Sequence, residues 1–329
     1  MTSNRTVAAG VALAKVMAHC GGNIEAALHQ VAGAIAAAPA DPEPYAVLAE
    51  LRRERRDDFA ATLDGAASLS EVLAQSYVSY LDGDMDGAAL AIGSVCGVRP
   101  TVRWTAAPWF GDPGFLAGLT PDALAEAVMR TTDYGRPLDT DPAREALGPW
   151  IEAIGKVCER EPQPEAMARM AIFLRACGLT EASLALCDRA DAVERVMLTE
   201  VVRAGTWRRL GDLDLTAAAF ERALALDPDN WSLYLDLADV RALQDDFAEA
   251  VRLVERALQS EPDEPTLRAA GAAYRSRHTG SAGALREYVD RAAQLPPSPY
   301  RTALTDLACA GPGLPGDLVD EVRRALGGE

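Results

Sequence analysis

Residues 210–228 read LGDLDLTAAAFERALALDP. A glycine and two alternate aspartates stand where a chain would turn, a run of good helix formers follows, and a proline closes it. Thr216, Phe220 and Ala223 lie at i, i+4 and i+7, a spacing that places them on one helical face. The proline ends that helix, because its ring clashes with the preceding turn and it has no N–H to donate. Residues 81–100, LDGDMDGAALAIGSVCGVRP, carry the same punctuation. With Gly83 set on Gly211, Asp84 falls on Asp212, Asp86 on Asp214 and Pro100 on Pro228.

The copy at 81–100 invites a different reading, since three alternate aspartates before a glycine open an EF-hand calcium loop. A loop starting at Asp82 needs a bidentate glutamate in its twelfth place, and that place holds Gly93. Aspartates just ahead of a helix and in its first turn cap free N–H groups and suit the helix dipole. The stretch is a helix start, and no metal ligand is assigned to it.

The frame recurs as Ala250, Val254, Ala257 and Pro262, as Leu285, Val289, Ala292 and Pro297, and as Ala27, Val31, Ala34 and Pro39. It recurs again as Ala88, Ile92, Val95 and Pro100, with a weaker copy at Ser183, Cys187 and Ala190 that meets Arg195 instead of proline. Pro228 and Pro262 stand 34 residues apart, Pro262 and Pro297 stand 35 apart. This pattern resembles the tetratricopeptide repeat family, whose unit is a helix–turn–helix of about 34 residues. The match is best over Glu200–Pro262, where Trp207 takes the aromatic place and Tyr234, Leu237, Ala238, Ala250 and Ala257 fall in family positions; Thr216 departs from the usual alanine.

The resemblance implies an all-α fold, an α-solenoid in which antiparallel helix pairs wind into a right-handed superhelix closed by a C-terminal helical cap. The expected division is 1–102 for N-terminal repeat-like units, 103–119 for an insertion, 120–163 for a degenerate helical pair, 164–298 for C-terminal repeats and 299–329 for capping helices. The insertion is rich in aromatics, proline and glycine and is not expected to be helical throughout. Thr120-Pro121 reads as a helix start.

The 329-residue chain has 49 acidic against 32 basic residues and a formal charge of −17. Such a surface repels phosphate backbones and anionic lipids, so neither nucleic acid nor a membrane is an expected partner. Lys15 and Lys156 are the only lysines, which points to a GC-rich genome and, with the resemblance, to a bacterial protein of actinobacterial type. The six cysteines show no paired spacing and read as reduced, buried thiols. VAAGVALA followed by Cys20 faintly resembles a lipoprotein signal, but Lys15 and His19 break it and the segment fits a repeat helix. A cytoplasmic location is expected, and nothing indicates a homo-oligomer.

No phosphate-binding, dinucleotide, zinc-protease or nucleophile-elbow motif is present. His19 and Cys20 are neighbours and cannot share a helical face; His29 reads as solvated and His278 as a helix-end cation. No catalytic residue, metal ligand or cofactor is assigned.

In the family the first helix of each pair lines the concave face and selects an extended or helical peptide. Carried onto this chain, those positions include Arg175; Val201, Arg208 and Arg209; Leu235, Asp239 and Leu243; and Arg277. The four arginines fall at corresponding ends of their helices, and guanidinium groups bind carboxylates bidentately. The alternative is helix-end charge paired with Asp239 and Glu165. Tyr77 and Tyr80 project from the matching helix of the third unit. With Trp104, Trp109 and Phe110 of the insertion they form either an aromatic contact patch or a structural plug. RRERRDD at 52–58 reads as a solvated, self-paired helix end.

The function expected from these readings is a non-enzymatic scaffold that binds a protein or peptide in its concave groove, the guest being acidic or carboxylate-bearing. The alternatives are a regulator gated by a peptide or small ligand, and an enzyme or small-molecule binder with a pocket beside 101–119.

Overall fold

The computed structural model describes residues 2–21, 23–54 and 68–326. Arg55–Asp58, the second half of RRERRDD, and the side chains of His19 and Cys20 lie outside what is described. The described chain is all helix and turn: α1 (Thr2–Gly21), α2 (Ile24–Ala37), α3 (Pro42–Glu54), α4 (Leu69–Leu81), α5 (Met85–Val98), a 3-10 turn at Trp104–Ala106, α6 (Pro113–Gly118), α7 (Pro121–Arg130), α8 (Asp141–Arg160), α9 (Pro164–Ala176) and α10 (Thr180–Asp191). There follow α11 (Met197–Leu210), α12 (Leu213–Leu226), α13 (Trp231–Leu243), α14 (Phe247–Ser260), α15 (Pro265–Thr279), α16 (Ala282–Ala292), α17 (Pro299–Cys309) and α18 (Gly316–Leu326). Two compact units result, Met1–Arg195 and Val196–Glu329.

One turn geometry joins the helices of five pairs, α4–α5, α9–α10, α11–α12, α13–α14 and α15–α16. Gly83 and Gly211 have φ of 82° and 81°, Gly178 and Gly280 have 78° and 64°, and Asp245 takes the same place with 60°. That left-handed region is open to glycine and costly for other L-residues, which explains the glycines. In four of the five turns the hydrogen bonds match as well. Gly83 N–H reaches Tyr80 O (3.1 Å) and Asp84 N–H reaches Ser79 O (2.9 Å); Gly211 reaches Arg208 O (3.1 Å) and Asp212 reaches Trp207 O (3.0 Å). The aspartate then caps the next helix: Asp84 accepts from Gly87 N and Asp212 from Leu215 N, both at 2.9 Å.

The exits are equally uniform. Ala38, Arg99, Asp227 and Glu261 each precede a proline and share φ from −146° to −125° with ψ from 73° to 78°. A following proline excludes the helical region for these residues, so the helix stops one residue early. Each of the four still donates its N–H to the third frame residue: Ala34, Val95, Ala223 or Ala257.

The frame side chains form the core. All but one of the residues named above at i, i+4 and i+7 are buried, among them Ala27, Val31, Ala88, Ile92, Ser183, Cys187, Thr216, Ala250, Val254 and Ala257 completely; Val289 is half-buried against the last cluster. In unit 2 each helix packs on its sequence neighbours from α11 through α16, and α17 packs on α15 with α18 behind it.

Unit 1 departs from that order where its sequence drifts from the repeat. α3 lies along α1 and α2, while α4 packs on α2. α7 packs between α5 and α9. Gly93 allows the α5–α7 approach, because a Cβ there would stand 2.3 Å from Ala127 O. The position a calcium loop would need as glutamate is therefore filled by a neighbouring backbone. α8 turns to the insertion instead: Thr105 Oγ1 donates to Ala146 O at 3.0 Å, and Phe110 meets Trp150 edge-on at 4.8 Å. Arg160 closes this side by donating to the carbonyls of Leu116 and Leu119. The remaining aspartates of 82–86 are engaged in the protein, Asp82 with Arg52 and Asp86 with Thr120 N and Oγ1, both at 2.9 Å.

Candidate functional site

In unit 2 the first helices of the pairs bring polar groups together around Asp239 of α13. Its Oδ1 accepts from Tyr274 Oη of α15 and, at 3.2 Å, from Tyr300 Oη of α17. Burial raises the Asp239 carboxyl to about 6; the two tyrosine bonds and Arg208 of α11 act against that rise, while Asp236 one turn earlier adds to it. Burial also raises Asp236, again opposed by Arg208. The Tyr274 and Tyr300 phenols are raised by burial and by Asp239, so they stay protonated donors.

Around this cluster the anticipated groove residues are distributed unevenly. Arg208 and Arg209 are exposed at the end of α11. Leu243, at the equivalent end of α13, is 62% exposed, and Leu210 is 52% exposed. Val201 and Leu235 are half-buried and pack on apolar clusters beneath them. Arg277 lies over the Phe247 ring with its guanidinium carbon 4.8 Å from the centroid, and its Nη2 is 3.9 Å from Asp245 Oδ1. Arg175 belongs to α9 in unit 1 and is half-buried. Deeper in unit 2, Glu200 is almost wholly buried between Arg203 (3.2 Å) and Arg222 (2.9 Å).

Unit 1 holds a cavity of about 290 Å³ walled by Pro42, Tyr45 and Ala46 of α3, Tyr77 and Tyr80 of α4, and Pro108, Trp109 and Asp112 of the insertion. Tyr77 stacks near Tyr80 (5.9 Å, 19°), Tyr80 stacks on Trp109 (5.4 Å, 28°), and Tyr45 meets Tyr77 edge-on at 5.0 Å. Trp109 is 4% exposed, and its Nε1 is the one buried side-chain polar atom among the described residues without a hydrogen-bond partner. Trp104 and Phe110 are not on this wall. They are interior, Trp104 donating from Nε1 to Arg99 O at 3.1 Å and Phe110 packed on Trp150. Burial raises the Tyr45 and Tyr77 phenols, and the lining contains no histidine, cysteine or serine that could form a nucleophile–base pair.

Sequence reasoning named Tyr77, Tyr80 and Trp109 but missed Tyr45 and Asp112, and it named Asp239 without Tyr274 and Tyr300. Among the described residues no cluster of three or more His, Cys, Asp and Glu is arranged to hold a metal ion, and no helix is long and apolar enough to cross a membrane. His29 and His278 are exposed, His29 Nδ1 lying 3.5 Å from Glu71 Oε1. Cys96, Cys158 and Cys177 are buried, and burial lifts their thiols to about 12, 11 and 12; no thiolate nucleophile is available there.

Helix pairs that share one turn, one exit and one buried frame define a helical-repeat protein. The family model of the tetratricopeptide repeat matches residues 208–274. No curated protein matches the sequence. Among solved structures, the thermophilic repeat protein TTC0263 of Thermus thermophilus is 20% identical, with 63% of this chain and 98% of that one covered, at a TM-score of 0.38. A tetratricopeptide repeat protein from Parabacteroides merdae is 11% identical over 98% of this chain and 100% of its own, with a TM-score of 0.41. The human IFIT1 dimer with PPP-AAAA is 15% identical over 90% and 69% of the two chains, with a TM-score of 0.37.

Proposed function

We propose that this chain is a non-catalytic cytoplasmic scaffold that holds a protein or peptide partner on the first helices of its repeats. In unit 2 the contact residues are Val201, Arg208, Arg209, Leu235, Leu243 and Arg277, and the guest segment carries acidic side chains or a terminal carboxylate. Arg175 offers the same chemistry in unit 1. The observation that carries the reading is the exposed end of α13 and α11. Leu243 is left 62% exposed and Leu210 52% exposed, while Arg208 and Arg209 are exposed in a chain of net charge −17. Arginine is enriched among binding hot spots, and guanidinium selects carboxylate.

Asp236 and Asp239 oppose Arg208, which limits its appetite for a guest carboxylate at neutral pH. With Asp239 raised to about 6, acidification neutralises that competitor first, so an acidic guest binds more tightly at pH 5.5 than at pH 7.5. The test is affinity capture from the native cytosol with wild type and with Arg208→Glu/Arg209→Glu. Loss of a captured protein in the double variant is the expected result, and equal recovery from both would refute the assignment of the groove.

A further inference from the structure

We propose that α1 is a self-association surface, on which a second copy of this chain lays its own α1 in antiparallel, two-fold symmetric contact centred on Ala12 and Leu13. The contact lies in unit 1 and is independent of the unit 2 groove.

Residues 7–14 read VAAGVALA, a run without a polar side chain. Wound into a helix, such a run presents apolar atoms on every side, and helices of that kind are normally covered all round. Here one side alone is covered. Val7, Val11, Ala14 and Ala18 are buried, and α1 packs on α2 and α3. The opposite side holds Ala9, Ala12, Leu13 and Val16, all exposed, Leu13 at 43% and Val16 at 56%. Spacings of three and four keep these four on one stripe. Among the described residues no other two exposed large hydrophobics lie within one turn of each other on a helix. Single ones are ordinary on a protein surface, and a contiguous stripe marks a contact.

Charge selects a second copy as the occupant. With a net charge of −17, two copies repel wherever their acidic surfaces meet. Among the described helices of more than one full turn beyond α6 in length, only α1 and α15 contain no aspartate or glutamate, and α15 is enclosed by α14, α16 and α17. At α1 two copies meet without setting carboxylate against carboxylate. A membrane suits the stripe less well, because an interfacial helix buries a whole face in lipid and the chain's negative charge opposes approach to anionic headgroups.

The stripe also fits itself. An antiparallel pair centred on Ala12 and Leu13 sets Ala9 opposite Val16 of the other copy, and Ala12 opposite Leu13. Each large side chain meets a small one, as interdigitating layers require. A parallel pair would set Leu13 on Leu13 and Ala9 on Ala9, a clash beside a void. From Ala9 to Val16 the stripe runs about 10 Å, so the interface falls below the roughly 1,200 Å² of a stable complex. The pairing is therefore weak, with a dissociation constant of about 100 µM.

Sedimentation equilibrium of the full chain from about 5 µM to about 1 mM, a range that brackets that constant, is expected to pass from monomer to mostly dimer. It stops there, because a two-fold contact closes on itself. Added salt is expected to tighten the dimer by screening the repulsion between copies. Leu13→Glu/Val16→Glu puts carboxylates on the stripe and is expected to weaken association tenfold or more, with the melting temperature unchanged because both side chains are exposed. Cross-linking gives a second readout that does not depend on that variant. Under mild oxidation an equal mixture of Ala9→Cys and Val16→Cys chains is expected to form linked dimers faster than either variant alone or wild type. A chain still monomeric at about 1 mM, a dimer equally strong in Leu13→Glu/Val16→Glu, fastest linking by Ala9→Cys alone, or growth beyond the dimer would overturn the proposal. So would binding to phosphatidylglycerol vesicles that Leu13→Glu/Val16→Glu abolishes while the wild type stays monomeric in their absence.

Discussion

Asp239→Asn is expected to stabilise unit 2 at neutral pH and to erase a pH dependence that the wild type shows. The aspartate is held with its carboxyl raised from 3.8 to about 6, chiefly by burial. Because the folded value lies above the unfolded one, the folded protein holds this proton more tightly between those limits. Stability from this group is complete below about pH 4 and is lost as pH rises through about 6. That shift corresponds to about 3 kcal/mol at pH 7.5, at 1.36 kcal/mol per pKa unit. Asparagine has the same shape, and its carbonyl oxygen can accept from both Tyr274 and Tyr300, so the hydrogen bonds persist while the buried charge is gone. The gain at pH 7.5 is expected to be about 2–3 kcal/mol, or about 10 °C in melting temperature for a unit of this size, shrinking to nothing near pH 4. Denaturant melts of both proteins from pH 4 to 7.5, followed by circular dichroism, measure it. Parallel stability curves, or a variant less stable than wild type at pH 7.5, would refute the reasoning.

Three other substitutions probe the packing. Gly93→Ala places a methyl 2.3 Å from Ala127 O, against backbone that cannot move aside, and is expected to cost about 1–3 kcal/mol in denaturant melts of unit 1. Glu200→Ala removes a buried carboxylate that Arg203, only 11% exposed, and Arg222 both contact; a loss of about 1.5–3 kcal/mol is expected, and Glu200→Gln should recover part of it. Asp84→Ala and Asp212→Ala each delete one helix cap and should cost about 1 kcal/mol apiece, with equal losses because the two turns are built alike.

The repeat was legible in the sequence because its determinants are local. Gly83, Gly211 and Gly280 mark left-handed turns, Pro39, Pro100, Pro228 and Pro262 fix the exits, and residues at i, i+4 and i+7 face the core whatever the surroundings. Asp245 shows the limit of that legibility: it adopts φ of 60° in a turn where glycine would have announced itself. The insertion was less legible, since Trp104 and Phe110 are placed by contacts with α5 and α8, Thr105 bonding to a carbonyl 41 residues away. Composition alone could not separate those interior rings from Trp109, which reaches a cavity. Tyr45 was missed because α3 lies where the repeat pattern fades and no frame assigned it a face. Tyr274 and Tyr300 reach Asp239 across 35 and 61 residues, and no local pattern links them.

The measurement that bears most directly on a common repeat geometry is the backbone φ at Gly83, Gly178, Gly211, Asp245 and Gly280, read from three-bond couplings and chemical shifts by NMR. A row of like helix pairs requires all five to be left-handed, between about 60° and 82°. Right-handed or extended values at Gly83 and Gly211, or strand-like shifts through the helices they join, would contradict it.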